Sequence, residues 1–208
     1  MKYEFTGDTC EHNGHILKRI KRCSDGFIGG WIEGRHNLSE NGSCFVYGEA
    51  KVYGNATITG EAEISWDAEV YQKAFVTDFA QICDSAKVSG DSFIKNRVII
   101  KDHAEVYGSA LIAGSARIMY HGKVYGNAVI NGSSCVEGYS EIFDAAILHD
   151  RVCVKGKVKV GGNLIVEGTT VLCGDTVFIK RGDYIHLGGL RYPVTIQKGG
   201  LATIGCTT

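Results

Sequence analysis

Large apolar residues recur at every sixth position along most of this chain. The file begins at Val46 and ends at Phe178, and its 23 positions follow one another without insertion or deletion. A small residue precedes most of them by two positions, as at Ala50 and Ala56, and Gly, Asp or Asn follows by two positions in 19 of the 22 cases between residues 48 and 174. An amphipathic helix would repeat about every 3.6 residues. Side-chain alternation within each unit instead predicts short strands joined by tight turns.

Three six-residue rungs would close one triangular coil, whose strands pair in parallel with those of the neighbouring coils. The predicted fold class is therefore all-β, a single-stranded parallel β-helix that occupies residues 46–182. Residues 1–45 lose the register, with Glu40 where an apolar residue is due, and predict an N-terminal capping segment. Residues 183–208, which contain Pro193, predict irregular strands that cap the other end, because open ends would expose unpaired strand edges.

Short motifs carry a family resemblance. The sequences V-Y-G-N-A-T at 52–57 and V-Y-G-N-A-V at 124–129 resemble the hexapeptide repeat of left-handed β-helix proteins, a superfamily that includes trimeric acyltransferases and γ-class carbonic anhydrases. The sequences Y-E-F-T-G at 3–7, G-G-W-I-E at 29–33 and C-F-V-Y-G at 44–48 resemble a phage- and prophage-encoded group. The resemblance implies left-handed coils, a homotrimer and a location in the cytoplasm of a bacterial host cell. Parallel crossovers are otherwise right-handed.

Composition excludes several classes of protein. The net charge is −1 with mixed signs, whereas a protein that binds duplex nucleic acid normally shows a basic face. No apolar run is long enough for a signal peptide or a membrane span. Eight cysteines without a C-x-x-C pair predict free thiols in a reducing compartment. Cys135 and Cys153 are three rungs apart, so we expect their thiols to lie close together, with a disulfide as the alternative.

Outward positions that are three rungs apart should stack in vertical files. One file alternates in charge and comprises Lys51, Glu69, Lys87, Glu105, Lys123, Glu141 and Lys159. A file beside it, the aromatic ladder, comprises Tyr53, Tyr71, Ser89, Tyr107, Tyr125 and Phe143. Both files have a structural interpretation, because opposite charges and neighbouring rings stabilise paired strands. They also fit a ligand platform, in which Tyr53, Tyr71, Tyr107 and Tyr125 stack on bases or sugars while Lys87 and Lys123 contact phosphate.

A basic segment near the N-terminus contains Lys18, Arg19 and Arg22. It fits a solvated strand edge that discourages unwanted pairing. The alternative is that these three residues contact the anionic ligand together with the ladder.

A second face carries an apolar stripe. The predicted oligomer interface is formed by Phe75, Phe93, Leu111, Val129, Ile147 and Ile165, which follow Thr57 at intervals of three rungs. A stripe of this length should not stay exposed on a monomer. Identical chains around an axis would cover it most simply, and the chain's own terminal segments are the alternative.

Candidate chemistry is sparse. His103 and His121 are three rungs apart and should stack near a corner, which resembles part of a γ-class carbonic anhydrase site without its third histidine. They are also the residues that would act as catalytic bases in an acyltransferase, although the loop that usually carries such a histidine is missing from the repeat. A metal needs at least three protein ligands. We expect no metal and no cofactor.

Together these patterns favour a non-enzymatic, homo-oligomeric β-helix that binds a partner or a small anionic ligand. A concrete hypothesis is a phage counter-defence protein that sequesters a host nucleotide signal. Two alternatives remain open at this point: an acyltransferase with an acyl or coenzyme A donor, and a structural virion or polymer-forming component.

Overall fold

The chain forms a parallel β-solenoid in which three rungs of the repeat complete each coil. A computed structural model describes residues 1–180, 183–187, 194–197 and 202–204. The predicted architecture is confirmed, because the strands of the repeat pair in parallel with the strands one coil before and one coil after them, as Lys87 does with Glu69 and Glu105.

The strands of the repeat are two residues long and the flanking strands are longer. The N-terminal elements are β1 (Tyr3–His12), β2 (His15–Arg22), β3 (Ile28–Ile32) and a 3₁₀ helix (Arg35–Asn37). The strands of the repeat are β4 (Phe45–Val46), β5 (Lys51–Val52), β6 (Thr57–Ile58), β7 (Glu63–Ile64), β8 (Glu69–Val70), β9 (Phe75–Val76), β10 (Gln81–Ile82), β11 (Lys87–Val88), β12 (Phe93–Ile94), β13 (Ile99–Ile100), β14 (Glu105–Val106), β15 (Leu111–Ile112), β16 (Arg117–Ile118), β17 (Lys123–Val124), β18 (Val129–Ile130), β19 (Cys135–Val136), β20 (Glu141–Ile142), β21 (Ile147–Leu148), β22 (Cys153–Val154), β23 (Lys159–Val160), β24 (Ile165–Val166), β25 (Val171–Leu172) and β26 (Val177–Phe178). The C-terminal strands are β27 (Tyr184–Leu187), β28 (Val194–Gln197) and β29 (Ala202–Ile204).

Three sheets form the faces of the prism. The charged face runs in the order β1-β2-β3-β5-β8-β11-β14-β17-β20-β23-β26. The apolar face contains β6 and every third strand from it up to β24, and the third face contains β4 and every third strand up to β25. Successive strands of the repeat therefore lie on successive faces. Each of these strands pairs with the strands one full coil before and after it.

The core is a column of side chains along the axis of the prism. All 23 large apolar residues from Val46 to Phe178 are completely buried. The small residues two positions before them are buried as well, for example Ala50, Ala56 and Ala104. Along most of the prism each strand contributes one large side chain and one small one, because interiors pack at the density of organic crystals. This constraint explains both inward files. Val98, Val152, Val158 and Leu164 are larger residues that are also buried in the file of small residues.

The corners depend on left-handed backbone. All 22 positions from Gly48 to Gly174 that follow the apolar file by two have positive φ, including the three that are not Gly, Asp or Asn: Trp66 (61°), Gln72 (60°) and Tyr120 (57°). Several polar residues at these corners compensate for the cost of that backbone by bonding to the next coil. Asp78 accepts a hydrogen bond from the amide of Asn96 at 2.8 Å, and Asp102 accepts one from the amide of Tyr120 at 2.9 Å.

Residues before the repeat extend the charged face. Strands β1 and β2 form an antiparallel hairpin, and β3 pairs antiparallel with β2 and parallel with β5. The hairpin turns at Asn13 (φ 50°) and Gly14 (φ 80°), two positive φ values that suit an Asn-Gly turn of type I′. The three strands join the sheet of the first coil through β3, and the tip of the hairpin lies over the repeat. That residues 1–45 cap the prism stays a prediction.

The C-terminal strands β27, β28 and β29 form an antiparallel sheet of their own. Pro193 and Cys206 lie outside the described residues, as does most of the segment predicted to cover this end of the prism.

Candidate functional site

The charged file forms ion pairs between neighbouring coils. Lys87 Nζ lies 3.2 Å from Glu69 Oε1, and Lys123 Nζ lies 3.0 Å from Glu105 Oε1. A third pair joins Lys159 Nζ to Glu141 Oε1 at 2.9 Å. The alternation in charge therefore stabilises the stacking of the coils. The two lysines predicted to contact phosphate each have a glutamate as their immediate partner.

The aromatic ladder divides into two stacks. Tyr53 and Tyr71 lie face to face, with centroids 5.2 Å apart and an interplanar angle of 5°. Tyr107 stacks on Tyr125 at 4.9 Å and 3°, and Phe143 continues that stack. Ser89 separates the two stacks and is 7% exposed. One face of Tyr71 therefore contacts Tyr53, and the other lies toward the small side chain of Ser89.

The tip of the N-terminal hairpin covers the first stack. The ring of His12 meets Tyr53 edge to face with centroids 5.4 Å apart, and the ring of His15 lies 5.1 Å from Tyr53 at an angle of 48°. Asn13 Nδ2 donates a hydrogen bond to the hydroxyl of Tyr53 at 3.1 Å. Tyr53 is consequently only 3% exposed, whereas Tyr71 remains partly exposed.

Two glutamates of the charged face hold the tip in place. Glu69 Oε2 accepts a hydrogen bond from the hydroxyl of Tyr53 at 2.9 Å and lies 3.0 Å from His12 Nε2. Glu33 Oε2 lies 3.1 Å from His15 Nδ1 and accepts a hydrogen bond from the amide of Gly54 at 2.7 Å. Each carboxylate thus joins the hairpin to the repeat.

A cleft of about 450 Å³ opens between the hairpin tip and the first aromatic stack. We call it the hairpin cleft, and it is lined by Asn13, His15, Tyr53, Gly54, Asn55, Tyr71, Gln72 and Lys73. Its volume falls within the range of about 300–1,000 Å³ that is usual for small-molecule sites. Two aromatic rings, amide side chains and a cation surround it. The ammonium of Lys73 lies 3.6 Å from Asp91 in a pair whose side chains are 69% and 63% exposed.

The predicted basic contacts lie away from this cleft. Arg19 forms an ion pair with Glu49 at 2.8 Å and places its guanidinium over the ring of Trp31. Arg22 forms an ion pair with Asp25 at 2.7 Å. The ammonium of Lys18 lies over a phenyl ring at the base of the hairpin, 5.3 Å from its centroid. Each cation contributes to the packing of the N-terminal sheet.

Burial and hydrogen bonding shift the pKa values of the groups beneath the tip. Burial and the neighbouring carboxylate of Glu69 raise the pKa of Tyr53, so its hydroxyl stays a donor at neutral pH. Burial alone would raise the pKa of Glu69, but the hydrogen bonds from His12, Tyr53 and Lys87 outweigh it and hold the pKa below the ordinary value of 4.5. Glu69 is therefore charged at neutral pH, although it is 9% exposed.

The lowered pKa of Glu69 leads to a prediction about acid stability. A carboxyl group whose pKa is lower in the folded state stabilises the fold above its unfolded pKa and loses that contribution as the pH falls through the folded value. The Glu69→Gln variant should therefore be less stable than the wild type at neutral pH. The difference should shrink as the pH falls through and below the ordinary carboxyl pKa of 4.5. Urea midpoints measured across these pH values test the prediction, and a difference that stays constant would contradict it.

The two histidines do stack at one corner. The rings of His103 and His121 lie 5.2 Å apart at 13°, and Tyr139 stacks on His121 at 4.6 Å and 7°. They line a groove of about 300 Å³ together with Glu105, Lys123 and Glu141. Among protein atoms of residues 1–180, no hydrogen bond orients either imidazole. No group of three metal-ligating side chains converges anywhere in the described part of the chain.

The apolar stripe lies in one file, as predicted. Phe93 pairs in register with Phe75 on one side and Leu111 on the other. The stripe is open to solvent in the single chain, where Phe75 is 37%, Phe93 36% and Ile165 54% exposed. The N-terminal strands extend the charged face and leave the stripe uncovered. Of the terminal segments that might have covered the stripe, residues 1–45 are therefore excluded.

Sequence reasoning missed the polar lining of the cleft, namely Asn13, His15, Gln72 and Lys73. The Asn-Gly dipeptide at 13–14 between two alternating segments is a strong hairpin signal and could have predicted β1 and β2. Nothing in the repeat indicates where the tip of that hairpin rests.

Two comparisons with known proteins gave no match. No protein-family model matches the chain, and no curated protein matches its sequence. Among the described residues, no helix has the length and apolar character that crossing a membrane requires.

Proposed function

We propose that this chain is a non-enzymatic, homo-oligomeric β-helix that binds a small anionic ligand with a planar ring in the hairpin cleft. The observation that carries the proposal is the cleft itself, where the partly exposed ring of Tyr71, amide side chains and Lys73 line an open space large enough for a nucleobase or a sugar. The coils are left-handed, as in the hexapeptide-repeat proteins that the sequence resembles, and the oligomer is a trimer formed by the apolar stripe.

The lining of the cleft suits a nucleotide in particular. Stacking of a base on an aromatic side chain contributes about 1–3 kcal/mol and tolerates any base. The amide nitrogen of Asn13 bonds to Tyr53 and His12. The amide oxygen of Gln72 accepts from the amide of Gly90. Asn13 Oδ1 can accept from the edge of a base and Gln72 Nε2 can donate to it, while Lys73 supplies a positive charge for phosphate. Lys73 suits this role better than the lysines of the charged file, because its ionic contact with Asp91 is long and exposed.

A role in phage counter-defence follows from this chemistry and from the resemblance to phage-encoded proteins. The protein would act on a nucleotide signal by holding it, since sequestration requires affinity and stoichiometry but no turnover. One cleft in each subunit of a trimer would bind three ligands. The protein would act in the cytoplasm of the infected cell, where such signals are made.

Isothermal titration of the purified protein with a panel of cyclic dinucleotides, cyclic trinucleotides and mononucleotides tests the proposal. We expect tight binding of at least one compound, and a loss of tenfold or more for Tyr71→Ala because the stacking surface is removed. Tyr125→Ala is the matched control, since it removes a stacked tyrosine of the second stack and should leave affinity unchanged. The proposal would be ruled out if no compound of the panel bound, or if Tyr71→Ala and Tyr125→Ala lost the same affinity.

A further inference from the structure

Two thiols lie side by side on the third face, away from both the hairpin cleft and the apolar stripe. Cys135 in β19 pairs in register with Cys153 in β22. Both are free and half-buried, and their pairing places them close together, as the sequence predicted. The function proposed above makes no use of them.

Strand geometry brings the two sulfur atoms within reach of each other. Neighbouring strands in a sheet are about 4.8 Å apart, and the Cα atoms of a disulfide are usually about 4.4–6.8 Å apart. Side chains in register on parallel strands leave the sheet on the same side. The in-register pairing of Cys135 with Cys153 therefore places the two thiols side by side, and no change of fold is needed for the two sulfurs to meet.

The environment distinguishes the two thiols. The hydrogen bond with Cys135 lowers the pKa of Cys153, and the ammonium of Lys155 acts in the same direction. Burial and the carboxylate of Glu137, which lies 4.0 Å from the Cys153 sulfur, oppose this shift but do not cancel it. Its partner is affected in the opposite way, because that same hydrogen bond, burial and nearby negative charge raise the pKa of Cys135. Cys153 is therefore the better nucleophile of the two, and Cys135 is the thiol that stays protonated beside it.

We propose that Cys135 and Cys153 form a peroxide-reactive dithiol that closes reversibly to a disulfide between two neighbouring coils. The thiolate of Cys153 attacks one oxygen of a hydroperoxide, the O–O bond breaks, and a sulfenic acid forms while the other oxygen leaves and takes up a proton. The sulfur of Cys135 then attacks the sulfenic sulfur. Its proton and the sulfenic hydroxyl leave as water, so two thiols and one hydrogen peroxide give one disulfide and two waters.

The disulfide should be easy to reduce. Side chains in register on parallel strands start with Cβ atoms about one strand spacing apart, whereas a relaxed disulfide has them about 3.8 Å apart. Closing the bond draws two coils together against their packed core, and strained disulfides have more oxidising potentials. A mild dithiol reductant should therefore restore both thiols.

Treatment of the intact, reduced protein with hydrogen peroxide tests this inference. The wild type should lose the mass of two hydrogen atoms, and peptide mapping should join Cys135 to Cys153. The Cys135→Ser variant should instead accumulate a sulfenic acid on Cys153 that dimedone traps, and Cys153→Ser should lose the fast reaction. Cys83→Ser is the control, because burial and the carboxylate of Asp84 raise the pKa of Cys83 to about 11.

Three results would overturn the inference. They are an unchanged mass at peroxide concentrations that oxidise free cysteine, a disulfide that joins other cysteines, and a Cys153→Ser variant that reacts as fast as the wild type. Phenylarsine oxide gives a second measurement that needs no oxidation. It should bind as one bridging equivalent to the wild type and to Cys83→Ser, and failure to bridge the wild type would show that the two sulfurs do not meet.

Discussion

Glutamate at both Phe93 and Leu111 should convert the trimer proposed above to a monomer in sedimentation velocity experiments. The two residues lie opposite each other on β12 and β15, in the middle of the apolar stripe. The free energy needed to bury an unpaired carboxylate in an apolar interface is far larger than the free energy that one apolar contact between subunits contributes. Because the axis of the assembly relates identical stripes, each subunit would bring two new charges to the interface.

We expect the two glutamates to prevent assembly because the apolar stripe is exposed to solvent in the single chain. Ile165 is 54% exposed and Phe75 37% exposed in the single chain, and a contiguous apolar surface of this kind normally marks an interaction site. The N-terminal strands, which could have covered it, add to the charged face instead. A second copy of the chain presents the same stripe, of the same length and the same spacing.

A control for this prediction lies on the same two coils. Ile99 and Arg117 are outward residues that pair in register on the third face. Glutamate at both positions places two carboxylates at the same height of the prism but outside the stripe, and also removes the positive charge of Arg117, so the assembly should persist. A wild-type protein that is already monomeric at tens of micromolar, or a Phe93/Leu111 variant that stays assembled, would refute the proposed interface.

Ile100→Ala should lower the free energy of unfolding by about 2–5 kcal/mol, the usual cost when a buried Ile is truncated. Ile100 is completely buried in β13 and lies between Ile82 and Ile118 of the neighbouring coils. The two-residue strands are held in place by the coils on either side, so the prism cannot collapse around a missing side chain. The lost contacts and the remaining cavity both add to the cost.

The same strand offers a matched control. Ile99 precedes Ile100, has the same side chain, and points to the outside, where it is only partly buried. Ile99→Ala should therefore cost much less than Ile100→Ala in urea denaturation followed by circular dichroism. Equal losses for the two variants would mean that inward and outward positions are wrongly assigned.

Most of the fold was predictable because each local choice is repeated. The apolar file alone predicted which side chain of each strand is buried, and all 23 positions are buried. The Gly, Asp and Asn residues that follow the apolar file by two positions predicted the turns. Trp66, Gln72 and Tyr120 occupy the same positions and adopt left-handed backbone as well, although their residue types do not favour it. The charged file predicted the pairing of Glu69 with Lys87. In each case many equivalent rungs constrain a single register, so an exception at one rung cannot change the fold.

The candidate site was predictable only in part. Tyr53 and Tyr71 could be placed together because they are one coil apart, and the structure stacks them. The hairpin tip that turns them into one wall of a cleft comes from outside the repeat. Its contact between His12 and Glu69 spans 57 residues, a separation that no period relates. The guanidinium groups of Arg19 and Arg22 form ion pairs with Glu49 and Asp25. The sequence did not indicate which carboxylates these two arginines would contact.

The sequence by itself determined the prism, its three faces and the side chains on each face. With six residues to each rung and three rungs to each coil, the position of a residue in the repeat fixes both its face and whether its side chain points inward or outward. Only the tertiary structure decided that the N-terminal hairpin returns across the charged face, buries Tyr53 and leaves Tyr71 and Lys73 beside an open cleft. The physical reason is that repeated contacts reinforce one another along the chain. The docking of a single segment depends instead on a few hydrogen bonds to Glu33 and Glu69 that occur only once.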